Sequence, residues 1–473
     1  MKPKFYLLAF ALFAGFFFAQ TECYAKTKTA KYVFYFIGDG MGVNQVNGTE
    51  MYLAEKEGRI GVKPLNFTQF PYATFASTYS VYNSVTCSAA AGTALAAGVK
   101  TKNGTIGMDS LHKMPLYSVA VKAKKAGKKV GITTSVSIDH ATPATFYAHQ
   151  PDRDMYYEIA TDLPKTGFDF YAGSGFLKPT NPKDKNAPEI YSLFKKTNYT
   201  VAKGYEDFKA KSRNASKMIL MQKEGSDMEC IPYAIDRKPG NLTLCQITES
   251  AVNFLTKENK NGFFLMVEGG KIDWACHNND AATVFDEVSD MADAVQIAYN
   301  FYLKHPDETL IVVTADHETG GIALGAGKYE LNLKVLANQK VSEDGLSVKI
   351  NQLRKEKNNN ITWNDIKELL SENMGFWKKV NLTEKQEQRL KEEYIRSFLG
   401  DKVKLTETLY SQNEPIAALA RQILNEIAMV SWASSNHTAG YIPVYAIGAG
   451  SELFHGKLEN TDIPKKIAEA ANY

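Results

Sequence analysis

Aspartate and histidine residues occur in this sequence at spacings that suit a metal centre. Asp273 and His277 are four residues apart, so on a helix they share one face and can hold the same ion. Asp316 and His317 are adjacent, and a turn could direct both side chains at one ion. His437 precedes an apolar run that is typical of a strand. Mixed aspartate and histidine ligation is typical of catalytic zinc with an open position, so these residues predict a zinc centre.

Three further residues offer hard oxygen ligands. Asp39 and Glu268 each follow a short apolar run, and Thr142 carries a hydroxyl. Oxygen ligands of this kind suit Mg²⁺. Two zinc-type ions side by side commonly serve phosphoryl transfer, because one ion activates the nucleophile and the other neutralises the leaving oxygen. The combined set therefore predicts a phosphoryl-transfer site.

Ser88 is the candidate nucleophile, and Arg153 is the candidate phosphate clamp. Ser88 opens an alanine-rich run that predicts a helix. A serine at a helix start is most often a cap, but a phosphate there would also face free backbone N–H groups and the positive end of the helix dipole. The Arg153 guanidinium can bind two phosphate oxygens, although a surface salt bridge with a neighbouring aspartate is an equal alternative.

Short apolar runs predict the sheet that positions these residues. The runs 32–37, 130–134, 263–267 and 310–314 are nearly continuous in apolar residues, as in strands buried on both faces, and helical patterns such as 281–302 lie between them. We therefore predict an α/β fold with a large, mostly parallel central sheet and helices on both faces. Ligands bind such folds at the carboxyl ends of the strands. Any one acidic residue after a strand would more often be a turn or cap residue.

Residues 325–430 differ in character from the rest of the chain. They are rich in Lys, Glu and Asn, and the stretches 363–373 and 383–398 are amphipathic with a helical period. Thr383 followed by Gln386 fits a helix start with a capping box. We predict a mainly helical insertion at 325–430 within one large domain that covers residues 26–473.

The amino terminus predicts export. Lys2 and Lys4 precede an uncharged apolar run of roughly 15 residues, which is short for a membrane span and typical of a secretory signal peptide at residues 1–25. Lipid anchoring at Cys23 is the less favoured alternative. No later segment of the sequence predicts a membrane span. The expected location is therefore the periplasm or the medium.

Composition narrows the classes of partner. The 473 residues include 55 basic and 52 acidic side chains, for a net charge of +3, which argues against a nucleic-acid binder. Apart from Cys23, four cysteines remain. Cys230 and Cys245 flank a short polar stretch. In an oxidising compartment, they are predicted to form a local disulfide. Cys87 and Cys276 are predicted to be free thiols that pack as small apolar groups.

Taken together and in order, these motifs resemble the metal-dependent alkaline phosphatases. The resemblance runs from Tyr32 to His437. The segments that carry it are Phe36-Ile37-Gly38-Asp39-Gly40-Met41-Gly42, Thr86-Cys87-Ser88-Ala89-Ala90, Gly98-Val99-Lys100-Thr101, His140-Ala141-Thr142-Pro143, Val267-Glu268-Gly269, Asp273 with His277, and Thr314-Ala315-Asp316-His317-Glu318-Thr319-Gly320-Gly321. It implies an exported phosphomonoesterase that acts on small phosphate monoesters. The segment 325–430 resembles the crown-type excursion of some members, and dimers are common in the family.

The resemblance also implies a role for each candidate residue. One zinc ion would be held by Asp273, His277 and His437, a second by Asp39, Asp316 and His317 with Ser88 at its open position, and an Mg²⁺ ion by Asp39, Thr142 and Glu268. Arg153 would bind the substrate phosphate. Ser88 would attack phosphorus to form a phosphoserine, which water then hydrolyses with net retention of configuration. Alcohols would compete with water as acceptors.

Three residues depart from the best-known bacterial pattern. Cys87 stands where an aspartate usually steadies the clamp arginine, so Arg153 is predicted to bind phosphate more loosely. His140 stands where some members carry aspartate, and Trp274 stands where some carry lysine. An imidazole near the third ion is a softer ligand and would tolerate Zn²⁺ or Co²⁺ better, although Mg²⁺ remains the prediction.

Two other classes of function are alternatives. The first is a phosphodiesterase or another hydrolase of the same superfamily. A sulfatase is disfavoured because the residues around Cys87 and Ser88 lack the Cys/Ser-x-Pro-x-Arg motif. The second is a secreted protein that binds phosphate or metal without turnover, and the intact nucleophile Ser88 argues against it. The sequence does not name the physiological substrate.

Overall fold

A computed structural model describes residues 28–327, 329–400, 406–408 and 411–473. The predicted signal peptide, including Cys23, lies outside these residues. The strands are β1 (Tyr32–Gly38), β2 (Tyr72–Ser77), β3 (Lys129–Thr134), β4 (Phe170–Ala172), β5 (Tyr199–Lys203), β6 (Lys217–Met221), β7 (Phe263–Gly269), β8 (Thr309–Ala315), β9 (Glu318–Thr319), β10 (Ile322–Leu324), β11 (Thr406–Thr408), β12 (Ser411–Asn413), β13 (Val430–Trp432), β14 (His437–Thr438), β15 (Ile442–Gly448) and β16 (Leu458–Glu459).

Ten of these strands form one sheet in the order β16-β2-β15-β8-β1-β7-β3-β4-β6-β5. Every pairing in it is parallel except those of β15, which runs antiparallel to both β8 and β2. The central strands β1, β7 and β8 are buried along their whole length. Their apolar residues are therefore covered on both faces, as the continuous runs in the sequence predicted.

Helices cover this sheet, and several begin at sequence signals. The helices are α1 (Val43–Lys56), α2 (Ser88–Ala97), α3 (Val119–Lys125), α4 (Ala141–Ala144), α5 (Tyr156–Asp162), α6 (Ile190–Lys196), α7 (Tyr205–Lys211), α8 (Leu244–Thr256), α9 (Lys271–His277), α10 (Ala281–Tyr302), α11 (Glu343–Glu356), α12 (Trp363–Met374), α13 (Glu384–Tyr394), α14 (Pro415–Ala428) and α15 (Asp462–Ala471). One layer contains α1, α8 and α10, and α10 packs on β1, β7 and β8. Another layer contains α2, α3 and α15, and α15 also packs on β1. The predicted α/β fold with a large, mostly parallel sheet is confirmed.

Between β10 and β13, the described residues contain four α-helices, α11 to α14. The predicted capping box at Thr383 is present, because Thr383 Oγ1 accepts a hydrogen bond from the Gln386 backbone N–H and Gln386 Oε1 accepts one from the Thr383 backbone N–H. The apolar face of α14 packs against α11, α12 and α13. The short hairpin β11–β12 interrupts this helical segment.

The predicted disulfide is wrong. Cys87, Cys230, Cys245 and Cys276 are all free thiols. The Cys230 sulfur instead lies 3.0 Å from the Lys271 ammonium, which donates a hydrogen bond to it. Cys245 lies in the first turn of α8 and is partly buried. The polar, proline-containing stretch between Cys230 and Cys245 is therefore not enough to predict a disulfide between them. Within the described ranges, every helix is too short or too polar to cross a membrane.

Candidate active site

Three carboxylates meet at one edge of the sheet because their strands are neighbours. Asp39 follows β1, Glu268 lies near the end of β7, and Asp316 follows β8. All three are completely buried. Burial raises the pKa of Asp39 well above its usual range, and the charges of Asp316 and Asp273 raise it further. Burial raises the pKa of Glu268 and of Asp316 in the same way. Ionised carboxylates crowded in this manner are stable only beside cations.

The helix α9 carries Asp273 and His277 on one face, as their spacing predicted. His277 Nε2 lies 3.2 Å from Asp273 Oδ2, and His437 Nε2 lies 3.7 Å from Asp273 Oδ1. His277 Nδ1 is 2.6 Å from the Ser435 carbonyl, and His437 Nδ1 is 2.8 Å from the Thr86 carbonyl. These carbonyls fix each ring so that Nε2 faces the aspartate, which is the usual arrangement behind a metal-binding histidine.

Protonation in this first group follows from the same contacts. Burial opposes the charge on Asp273, but the imidazoles of His277 and His437 outweigh it and lower the pKa of Asp273. Burial likewise opposes the charge on His277, yet Asp273 raises the pKa of that imidazole to about 9. Both shifts follow from the attraction between the Asp273 carboxylate and the neighbouring imidazoles, so this position favours an ionised carboxylate beside positive charge.

A second group surrounds the buried ring of His317. Its Nε2 atom is 3.4 Å from Asp39 Oδ1 and 3.2 Å from Asp316 Oδ2. The other oxygen of Asp316 accepts hydrogen bonds from the amides of Gly40 and His317. Burial, followed by the charge of His437, lowers the pKa of His317 well below its usual range. The ring is therefore neutral and can offer a lone pair to an ion.

Ser88 lies against this second group. It is the first residue of α2, it is buried, and its Oγ atom is 3.2 Å from His317 Nε2. Cys87, rather than Ser88, occupies the capping position, and its side chain makes no capping bond. The cap interpretation of Ser88 is therefore replaced by a hydroxyl that faces the candidate ligands. The backbone N–H groups of the first turn of α2 lie beside it, as an anion site requires.

A third group lies on the other side of Asp39. Thr142 donates a hydrogen bond of 3.4 Å to Asp39 Oδ2, and Thr134 donates one to Glu268. His140 joins this group, because ligand atoms of Asp39, His140 and Glu268 lie within 4.8 Å of one another. Burial and, to a smaller extent, the charge of Arg153 lower the pKa of His140 to about 3.

Arg153 connects the third group to the segment just before α2. Its Nη2 atom donates a hydrogen bond of 3.3 Å to His140 Nε2, and its backbone amide donates one of 2.8 Å to Gly104. The amide of Gly104 donates to the Cys87 sulfur at 3.1 Å. The Trp274 ring packs edge-on against His140, with centroids 6.0 Å apart. His140 and Trp274, the two departures from the bacterial pattern at the third group, therefore contact each other.

Glu318 and Thr319, which carry no predicted role, link segments that bear the candidate ligands. Glu318 accepts hydrogen bonds from Gln45 Nε2 at 2.6 Å, from the Gly321 amide at 3.0 Å and from Thr438 Oγ1. Thr319 pairs with His437 where β9 meets β14. Both residues are in the motif that begins at Thr314. Their contacts form only when β9 pairs with β14, which is distant in sequence.

The donor atoms fit metal ions. Asp39 Oδ1, Asp316 Oδ2, Glu268 Oε1 and His140 Nδ1 are buried and form no hydrogen bond with any described residue. Such atoms are costly to bury unless a cation satisfies them. Ligand atoms lie within 4.8 Å of one another in three clusters, which are Asp273–His317–His437, Asp39–Asp316–His317 and Asp39–His140–Glu268. His277 contacts Asp273 but is not a member of the first cluster, where His317 stands instead. Mixed nitrogen and oxygen donors suit Zn²⁺ at the two clusters that contain His317, and the two carboxylates of the other cluster suit Mg²⁺.

Comparisons with known proteins agree with this geometry. The family model described as alkaline phosphatase matches residues 30–172 and 180–473. Alkaline phosphatase 3 of Bacillus subtilis (strain 168) is 32% identical over 464 residues, which cover 96% of this chain and 92% of the relative. Alkaline phosphatase 4 of the same organism is also 32% identical, over 476 residues that cover 96% of this chain and 93% of that relative.

Solved structures share the fold. The cold-active alkaline phosphatase of the psychrophile Shewanella sp. superposes with a TM-score of 0.77 at 26% identity, over 93% of this chain and 99% of that one. Thermus thermophilus alkaline phosphatase gives a TM-score of 0.74 at 26% identity, over 94% and 93%. A third structure is a variant of the alkaline phosphatase from the Antarctic bacterium TAB5, with a histidine changed to aspartate and Mg bound in its M3 site. It gives a TM-score of 0.65 at 27% identity, over 95% of this chain and 99% of that one. The chain therefore belongs to the alkaline phosphatase family and is a metal-dependent phosphomonoesterase.

Proposed function

We propose that the protein hydrolyses phosphate monoesters through a covalent phosphoserine on Ser88. The observation that carries the proposal is the position of Ser88 Oγ, which is buried at the start of α2 and 3.2 Å from His317 Nε2. The proposed ligands are Asp273, His277 and His437 for one Zn²⁺, Asp39, Asp316 and His317 for a second, and Asp39, Thr142 and Glu268 for Mg²⁺. When bound, these ions supply Lewis-acid chemistry that lowers the pKa of a hydroxyl and neutralises negative oxygens.

The chain's own residues perform two displacements. Arg153 binds two non-bridging oxygens of the phosphate, and the N–H groups of the first turn of α2 face the same charge. Ser88 Oγ forms a bond to phosphorus as the bond to the alcohol oxygen breaks, and the proton of the Ser88 hydroxyl leaves with the alcohol. Water then attacks the phosphoserine, the Ser88 Oγ–P bond breaks, and the serine hydroxyl and inorganic phosphate are released. Each displacement inverts phosphorus, so the configuration is retained overall.

Substitution of the nucleophile tests this proposal. We expect Ser88→Ala to lower kcat by several orders of magnitude and to abolish labelling of the chain by a ³²P-labelled monoester. Ser192→Ala, an exposed serine of α6, is the matched control and is expected to behave as the parent does. An unchanged rate in Ser88→Ala would favour binding without turnover. A ratio of monoester to diester hydrolysis near one would favour the phosphodiesterase alternative.

We also propose how the chain is organised and where it works. Residues 1–25 are a signal peptide, and residues 26–473 form one catalytic domain that carries the helical insertion 325–430. The mature protein acts in the periplasm or outside the cell, and a homodimer is the proposed assembly. Mass spectrometry of the amino terminus of the exported protein, together with its mass in solution, tests these points. An amino terminus that begins at Met1 would contradict the signal peptide, and a solution mass equal to that of one chain would contradict the homodimer.

A further inference from the structure

A cavity opens beside the two histidines of the first group. Its volume is about 550 Å³. The residues that line it are Asn83, Ser84, Val85, Thr86, Asn103, His277, Asn436 and His437. We call this cavity the alcohol pocket.

The position of the alcohol pocket matches that of a leaving group. Ser88 contacts His317 of the second group, whereas the pocket is bounded by His277 and His437 of the first group. The two groups are adjacent, because the ring centroids of His317 and His437 are 3.7 Å apart. In a displacement at phosphorus, the nucleophile and the departing oxygen lie on opposite sides of the phosphoryl group. A phosphate attacked by Ser88 would therefore project its alcohol into the pocket.

The lining of the alcohol pocket is polar but uncharged apart from the two histidines. It combines three carboxamides, two hydroxyls and the aliphatic side chain of Val85. A carboxamide both donates and accepts hydrogen bonds, so it matches alcohol hydroxyls, which do the same. A second phosphate on the leaving group would need arginine or lysine, which the lining lacks.

Two of the carboxamides are available to a ligand. Asn103 is used within the protein, since it donates to the Val85 carbonyl at 3.1 Å and accepts from the Cys87 amide at 3.2 Å. The exposed carboxamides of Asn83 and Asn436 make no hydrogen bond to any residue that the structure describes. The backbone of Asn436 is held at Gly320, so its side chain projects from a fixed position.

We propose that the alcohol pocket binds the leaving alcohol through Asn83 and Asn436 and favours neutral, hydroxyl-rich alcohols over leaving groups that carry a second phosphate. This inference rests on the proposed phosphomonoesterase reaction at Ser88. The same pocket receives the acceptor when an alcohol replaces water in the second displacement. In that step the Ser88 Oγ–P bond breaks, a bond from the acceptor oxygen to phosphorus forms, and the acceptor's proton returns to the serine hydroxyl.

The test compares substrates in single variants of the holoenzyme. The measured quantity is the ratio of kcat/KM for glycerol 3-phosphate to kcat/KM for phenyl phosphate, whose leaving group carries only the ester oxygen. We expect Asn83→Ala and Asn436→Ala each to lower this ratio by roughly fivefold to tenfold, the value of one hydrogen bond of about 1 kcal/mol. Asn253→Ala, an exposed asparagine of α8 that does not line the pocket, is the matched control and is expected to leave the ratio unchanged.

A second measurement uses acceptors instead of substrates. Glycerol is expected to divert more phosphate from water than 1-propanol does at equal concentration, and Asn83→Ala is expected to remove most of that difference. If both variants are active and their kcat/KM ratios lie within twofold of the parent ratio, the inference is overturned but the proposed function stands. Faster hydrolysis of a bisphosphate than of glycerol 3-phosphate would have the same meaning. No phosphate release from any substrate would overturn the proposed function and this inference with it.

Discussion

Thr319 Oγ1 donates a hydrogen bond of 2.5 Å to Asp273 Oδ1, and this bond joins the first group of ligands to the second. The same hydroxyl lies 3.2 Å from Nδ1 of His317. A threonine hydroxyl has one proton, so a hydroxyl that donates to Asp273 must accept from His317 Nδ1–H. The lone pair of His317 is thereby placed on Nε2, the atom that faces Ser88, Asp39 and Asp316.

We therefore expect Thr319→Val to weaken metal binding although Thr319 is not itself a proposed ligand. Loss of a hydrogen bond behind a metal ligand typically costs 10-fold to 100-fold in affinity or activity. The measurement is zinc retained after dialysis against a chelator, together with kcat. Thr319→Ser keeps the hydroxyl and is expected to restore both. Full zinc retention in Thr319→Val would contradict this role.

We expect Cys87→Asp to tighten phosphate binding. Cys87 and Arg153 flank the same residue, because the Cys87 sulfur accepts from the Gly104 amide and the Arg153 amide donates to the Gly104 carbonyl. A carboxylate at position 87 would hold the guanidinium by a charge-assisted hydrogen bond. The inhibition constant for inorganic phosphate is expected to fall about tenfold, with slower turnover where product release limits the rate. Cys87→Ser is the neutral control, and unchanged inhibition in Cys87→Asp would contradict the prediction.

We expect His140→Asp to strengthen Mg²⁺ binding at the third group. A carboxylate is a harder ligand than imidazole, and the change also replaces the imidazole that accepts the Arg153 hydrogen bond with a negatively charged group. The measurement is activation of the metal-stripped enzyme by zinc with increasing Mg²⁺. The variant is expected to reach half-maximal activation at roughly tenfold lower Mg²⁺. His455→Asp, at an exposed position, is the control. If the parent enzyme is as active with zinc alone as with zinc and Mg²⁺ together, Mg²⁺ is excluded as the third ion.

The pH dependence of stability has a measurable contribution from Glu343 in α11. Burial raises the pKa of its carboxyl to about 7, and the Arg421 guanidinium, 2.8 Å away, offsets only part of the shift. A carboxyl whose folded pKa exceeds its unfolded pKa stabilises the fold at low pH, and this stability is lost as the pH rises through 7. Between pH 5 and pH 8, the free energy of unfolding should therefore decrease by more in the parent than in Glu343→Gln. The extra decrease is expected to be on the order of 2–3 kcal/mol. Equal slopes would contradict it.

Much of this molecule could be predicted from local sequence. The continuous apolar runs gave the central strands, and the spacing of Asp273 and His277 placed both on one face of α9. The position of Ser88 at the start of α2 followed from the alanine-rich run that begins there. These features depend on residues that are close in the chain, so periodicity and composition reveal them.

Other features depend on contacts between distant segments. The roles of Thr319 and Glu318 arise only when β9 pairs with β14, and no local pattern encodes that pairing. The cysteine prediction failed for the same reason, since Lys271, which is far from Cys230 in sequence, occupies the space beside its sulfur. Sequence spacing gives the residues that can share an ion but not the residues that orient them.

The single reversed strand has a consequence for synthesis. Because β15 runs against its neighbours, its beginning lies at the edge where β1, β7 and β8 end, and the preceding β14 brings His437 there. His437 contacts Thr86, 351 positions earlier in the chain. The reaction centre is therefore completed only after almost the whole polypeptide has been made. A chain cut short before β14 would retain Ser88 and Arg153 but lack His437, the last of the proposed ligands, so we expect prematurely ended products to be inactive on phosphate esters.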